Sequence, residues 1–244
     1  MLYYAGMRIH HIPRLSTISF VSCVPLLLIL AFAFPALSGC SLQDRLAREI
    51  FLSSAKYTDR EDFASESFTQ HSQRVFSFRY LFYRSLIVRS DEGLIIVDPM
   101  NARLSAKLRP LLAQRFPGQA VHTIFYSHYH RDHVEGGRLL EPRNVVAHRN
   151  CAGYWRDFGE PEEFAPPTER ISGDREYEIG GVRLRLIDLG RSHTDTLYAF
   201  VLPDEKILYA PDVGFARSWP TPGPFHTYYP GYIRAMERLA AEGA

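Results

Sequence analysis

Three imidazoles and a carboxylate fall within six positions of this chain: His128, His130, Asp132 and His133, in the string SHYHRDH at 127–133. Histidine is the commonest side-chain ligand for transition metals, and carboxylate suits the same borderline cations. The string follows an apolar run at 121–126 that reads as a buried strand. A strand that ends in ligands holds them on a rigid support. With Tyr129 between them, His128 and His130 face one way if strand geometry persists. Asp132 and His133 come where the chain must turn, and Gly136-Gly137 permits tight backbone there. Three histidines and an aspartate exceed the three protein ligands usual for a catalytic zinc, which favours two metals over one.

Further ligand types stand where later apolar runs stop. His193 lies in RSHTD at 191–195, and Asp212 in YAPDV at 209–213. Asp98 ends an apolar strand and precedes Pro99, a combination that also serves as a plain turn. The remaining histidines read differently. His148 is expected at a helix start or on the surface, and His71, His122 and His226 are given no role. Tyr129 and Arg131 read as packing or solvent groups. Tyr154, Trp155 and Phe158 read as core rather than pocket, while Trp219 and Phe225 are candidates for a substrate rim.

The elements that must position these residues follow from apolar patterning. A strand is predicted over 75–83, then a hairpin of 85–89 and 94–97 around Asp91-Glu92-Gly93. A helix follows over 104–116, with Ser105 as a candidate cap, Pro110 at its first turn or at a kink, and Pro117-Gly118 as its stop. Strands are predicted over 121–126 and 144–147, and a Pro-rich loop over 160–168. Two more hairpins join 177–179 to 182–187 and 197–202 to 206–209. A last amphipathic helix over 231–241 is expected, with Ile233, Met236, Leu239 and Ala240 on one side. Hairpins with interspersed helices fit an α+β arrangement of two mixed sheets covered by helices.

The first 39 residues are a different material. Arg8 and Arg14 precede an almost wholly apolar stretch at 18–37, then Leu37-Ser38-Gly39-Cys40. Basic, apolar, then small is the order of a secretory signal. Pro25 and Pro35 shorten the run for a membrane-spanning helix. Leu-Ser-Gly-Cys resembles the lipobox of bacterial lipoproteins, which implies acylation of Cys40 and attachment to a membrane of the cell envelope. Ser41 after that cysteine implies the outer membrane, facing the periplasm. The expected organisation is a leader at 1–39, a tether at 40–74 and one domain at 75–244. Of three cysteines, Cys23 leaves with the leader and Cys40 is the lipid site. Cys151 is then alone, a small buried residue rather than a reactive one. A net charge of +1 without basic blocks gives no support for a nucleic-acid partner.

His-x-His-x-Asp-His after a strand, then Gly-Gly, a histidine beside Ser and Thr, and an aspartate after a later strand resemble the metallo-β-lactamase superfamily. Asp98 matches that family's first motif, and the resemblance covers about residues 75–242. It implies a four-layer αβ/βα sandwich with its site at the sheet edges. It implies that His128, His130 and His193 bind one Zn2+, that Asp132 and His133 bind a second, and that Asp212 bridges the two. Asp98 is then implied to orient the ligand loop without touching metal. The implied activity is hydrolysis of a small ester, lactone, lactam, thioester or sulfate by metal-activated water, with Asp132 orienting the nucleophile. The family's last ligand histidine, in a Gly-His-Gly-like loop, has no counterpart here, and His226 follows Asp212 too closely to be it. On that ground a C-terminally truncated domain is expected, and the alternative is a metal-binding lipoprotein that does not turn over.

Overall fold

The computed structural model describes residues 66–80, 83–213 and 228–242. The expected leader, Cys40 and the tether as far as residue 65 lie outside the described residues, as do Trp219, Phe225 and His226.

Strands β1 (Glu66–Gln70), β2 (Val75–Tyr80), β3 (Tyr83–Ser90) and β4 (Gly93–Val97) form an antiparallel meander. Helix α1 (Ala102–Arg115) then crosses over, and β5 (Val121–Phe125) returns parallel to β4. Parallel pairing requires such a crossover, because a tight turn only reverses the chain. After β5 come the one-turn helix α2 (Arg131–Val134), strand β6 (Asn144–His148), helix α3 (Cys151–Phe158) and strand β7 (Glu169–Ile171). These complete a seven-stranded sheet in sequence order. A second, four-stranded antiparallel sheet holds β8 (Arg175–Ile179), β9 (Val182–Asp188), β10 (Tyr198–Leu202) and β11 (Ile207–Tyr209), in the order β11-β10-β9-β8. Helix α4 (Tyr229–Ala241) follows.

Alternation along the strands decides the layers. In β4, Leu94 and Ile96 join a cluster with Leu104, Leu108 and Leu112 of α1 and Trp155 of α3. Ile95 and Val97 point the other way, into a cluster with Leu184, Leu186 and Phe200 of the second sheet. The outer face of that sheet gives Ile187 and Ala199 to a third cluster with Ala235 and Leu239 of α4. The layers are helix, sheet, sheet, helix, as the resemblance implied.

All three expected hairpins form, and Cys151 is fully buried. Four local expectations need correction. β1 forms in a stretch assigned to the tether, and its pairing with β2 adds it to the sheet. The run at 75–83 is two strands, ending at Tyr80 and restarting at Tyr83. Helix α1 is capped by Asn101, whose Oδ1 accepts from Leu104 N at 3.0 Å, and not by Ser105, whose hydroxyl donates to Pro99 O. Helix α4 buries Gly231, Ala235 and Leu239 and leaves Ile233 and Met236 exposed. Close approach accounts for the glycine: a Cβ on Gly231 would overlap the carbonyl of Arg191, in the loop after β9.

Candidate metal centre

Every candidate residue sits where a strand of one of the two sheets runs out. Asp98 directly follows β4, the 127–133 string follows β5, His193 lies between β9 and β10, and Asp212 follows β11. Tyr198 N donates to Ser127 O (2.9 Å), and Tyr129 N donates to Thr196 Oγ1 (3.3 Å). These bonds stitch the ligand loop of the first sheet to the second. Because β5 ends at Phe125, loop geometry rather than strand alternation aims His128 and His130. Asp132 and His133 ride on α2.

The structure brings the predicted ligands together. One ligand atom from each of His128, His130, His193 and Asp212 lies within 4.8 Å of all the others. His130 Nδ1 stands 2.9 Å from His128 Nε2 and 3.2 Å from His193 Nε2. Asp212 Oδ2 stands 3.4 Å from His128 Nε2 and 3.2 Å from both His193 Nε2 and His133 Nε2. Asp132 Oδ2 lies 3.7 Å from His133 Nε2, so Asp132 and His133 adjoin the cluster on the Asp212 side.

This donor set fits a metal. Ligand atoms 2.0–2.1 Å from a tetrahedral ion stand about 3.3 Å apart, within the range seen here. The chemistry also fits, since imidazole and carboxylate are the donors that borderline divalent cations take. Asp132 Oδ1 is buried and has no hydrogen-bond partner among the described residues. A buried carboxylate oxygen is costly unless something pairs with it.

Asp98, fully buried, organises this end of the sheet. Its Oδ1 accepts from Ser127 N (2.8 Å), and its Oδ2 from Ser127 Oγ (2.7 Å) and His133 Nδ1 (2.8 Å). With Nδ1 held by Asp98, His133 turns Nε2 toward Asp212. Ser127 Oγ, having given its proton to Asp98, accepts from His128 Nδ1 at 2.9 Å, which leaves Nε2 of that ring open as well. One carboxylate therefore sets the tautomer of two imidazoles. Asp98 (φ 57°) and Asp212 (φ 57°) both adopt left-handed backbone, which a side chain enters at a cost of order 1 kcal/mol.

Charge in the cluster is unevenly held. Burial alone would raise the Asp212 carboxyl, but the adjacent His133, His193 and His128 hold it well below the usual carboxylate range. Burial likewise disfavours a charged His133, yet Asp212, Asp98 and Asp132 around it push its pKa well above the usual value. Burial and the neighbouring His133 and His130 drive His128 the other way, toward the neutral form a metal needs. Burial raises the carboxyl of Asp132.

Sequence reasoning missed several residues here. Ser127 opens the string but received no role, although a hydroxyl beside a candidate ligand was a usable hint. His148 is neither a helix-start nor a surface residue. It is 5% exposed at the end of β6, and its Nε2 lies 3.4 Å from Asp188 Oδ2. Tyr129 is a packing residue, as expected: it stacks on Tyr154 (centroids 3.9 Å apart) and meets the His130 ring edge-on at 4.5 Å. Trp155 is core, while Phe158 is 63% exposed at the far end of the same helix.

Comparison with known proteins agrees with this geometry. A model of the metallo-beta-lactamase superfamily matches residues 81–242. The chain is 32% identical over 155 residues to the 2,4-dinitroanisole O-demethylase subunit alpha of Nocardioides sp. (strain JS1661), covering 62% of this chain and 45% of that protein. It is 29% identical over 141 residues to the hydroxyacylglutathione hydrolase of Brucella ovis, covering 53% and 50%. The chain thus spans about half the length of the curated relatives it matches. Among solved structures, a metallo-beta-lactamase from Pontibacter korlensis shares the fold, with a TM-score of 0.63 at 20% identity over 73% of this chain and 86% of that one.

Proposed function

The chain belongs to the metallo-β-lactamase superfamily, and we propose that it is a zinc-dependent hydrolase of a small-molecule substrate. The observation that carries this reading is the convergence of His128, His130, His193 and Asp212 on one point. His128, His130 and His193 would hold one ion, Asp132 and His133 a second, and Asp212 would stand between them. Zinc, when bound, supplies Lewis acidity to the scissile group and makes a coordinated water acidic near neutral pH.

The protein's own residues supply position and proton handling. Asp98 and Ser127 hold the Nδ1 side of His133 and His128, so both imidazoles turn Nε2 to the site. Asp132, with one oxygen unpartnered, orients the attacking water and accepts its proton. The stitch between Tyr198 and Ser127 keeps the two ligand-bearing sheets in register. Ester, lactone, lactam, thioester and sulfate substrates share the feature this arrangement serves, an electrophilic centre with a departing anion. The relatives named for 2,4-dinitroanisole and for hydroxyacylglutathione support a small molecule over a polymer.

The test is metal content of the full chain by elemental analysis, paired with hydrolysis of ester, lactone, β-lactam, thioester and alkyl-sulfate probes. We expect close to two zinc ions per chain and turnover of at least one class. The double change His128→Ala with His130→Ala should abolish both. Stoichiometric zinc retained in that variant would falsify the site. Zinc without turnover across the panel would establish the non-catalytic alternative instead.

A further inference from the structure

We propose that the segment joining β6 to α3 clamps the loop that delivers His193, with His148, Asp188 and Tyr154 as positioning residues. This rests on the reading of His193 as a metal ligand. The loop at 189–195 has no helix or strand of its own, yet His193 Nε2 must stay 3.2 Å from both His130 Nδ1 and Asp212 Oδ2. A carboxylate stands at each end of it. At one end, Asp188 Oδ1 accepts from Gly190 N (2.9 Å), and Oδ2 accepts from Gly173 N (2.9 Å). The same Oδ2 faces His148 Nε2 at 3.4 Å. His148 Nδ1 accepts from Asn150 N (3.2 Å), so the ring proton lies on Nε2, toward Asp188. At the other end, Asp195 Oδ1 accepts from Tyr154 Oη (2.8 Å), and Oδ2 from Asn150 Nδ2 (3.4 Å). Both anchors therefore lead back to residues 148–154, on the opposite sheet and its helix.

A pair of a buried His and a half-buried carboxylate is a poor device for stability alone, because desolvation and solvent screening offset much of the attraction. What it fixes is direction. Gly190, at φ 59°, turns the chain immediately after Asp188, and the carboxylate captures that turn through the Gly190 amide. If the anchor slackens, His193 moves off the point where the other imidazoles converge. Residues that orient a ligand in this way commonly change metal affinity 10–100-fold when removed.

The experiment uses the full chain and the variants His148→Ala, His148→Gln and Tyr154→Phe. Zinc affinity is measured by chelator competition, the visible spectrum is recorded after cobalt substitution, and urea midpoints are taken alongside. His148→Ala and Tyr154→Phe should each weaken zinc binding about tenfold or more and shift the cobalt bands. His148→Gln, which keeps an N–H donor for Asp188, should recover most of the affinity. Wild-type affinity and an unchanged cobalt spectrum in Tyr154→Phe and His148→Ala would overturn the clamp, whatever the urea midpoints do. If His148→Ala does not fold, Tyr154→Phe removes one hydroxyl from a partly exposed ring and decides the matter alone. If the wild-type chain takes up no zinc, the metal reading falls and the clamp falls with it.

Discussion

Asp98 shows how much a single side chain decides here. It has no solvent exposure, and its two oxygens collect three hydrogen bonds, two from Ser127 and one from His133. Replacement by Asn would put an NH2 group where an acceptor is required, facing either Ser127 or the His133 N–H. Leaving a buried donor unsatisfied costs roughly 1–3 kcal/mol, and the freed His133 ring would lose its fixed tautomer. Asp98→Asn should therefore lower the urea midpoint and weaken zinc binding about tenfold or more. Equal affinity in chelator competition would show that Asp98 supports only the fold. At this scale the sequence was readable where the chemistry is local. His128, His130, Asp132 and His133 are neighbours in the chain, and their types announce a metal. His148 and Asp188 were not readable, because each alone is an ordinary polar residue at a strand end. Only tertiary packing makes them a pair.

At the element scale, apolar patterning located nearly every strand, by alternation in β9 and by unbroken apolar runs in β3 and β4, which are buried on both faces. It failed in part for α4, where Gly231 and Ala235 are buried beside Leu239 while Ile233 and Met236 are exposed. The Gly136-Gly137 pair follows the same logic. Gly136 does not need a positive φ, since its φ is −85°. It needs space: a Cβ there would lie 2.0 Å from Ser105 Oγ and 2.9 Å from Asn101 O. The turn after α2 is thereby pressed against the start of α1, and Gly136 N donates to Met100 O at 2.9 Å. Gly136→Ala should push α1 and the Asp132–His133 turn apart. Overpacking of this kind costs about 1–3 kcal/mol, and the second zinc should be lost before the first. Titration of zinc into the metal-free variant checks this. Two sites filling as tightly as in wild type would show that α1 yields without disturbing α2.

Across the whole molecule, the two sheets are joined in two different ways. Over most of their area the contact is apolar, with Val88, Ile95 and Phe125 set against Leu184, Leu186 and Phe200. At the end that carries the site the joints are polar: Tyr198 N to Ser127 O, Tyr154 Oη to Asp195, and His148 facing Asp188. Apolar contact is non-directional, so it holds the sheets together without fixing their relative position to fractions of an ångström. The polar joints do that, and they make the sandwich sensitive to acid. Burial works to raise the Asp188 carboxyl, but His148 and the Gly190 and Gly173 amides outweigh it and hold the pKa below the usual 3.8. A carboxylate depressed in the folded state contributes stability that is complete above its unfolded pKa and is lost as pH falls through the folded value. The metal-free wild type should therefore lose stability progressively below about pH 4. In Asp188→Asn this contribution is absent at every pH. The variant should be less stable by roughly 1–3 kcal/mol at pH 6, and its urea midpoint should converge on that of the wild type as pH falls toward 2.5. A gap that stays constant across this range would mean that the Asp188 charge does not hold the sheets together, leaving only its shape as the joint.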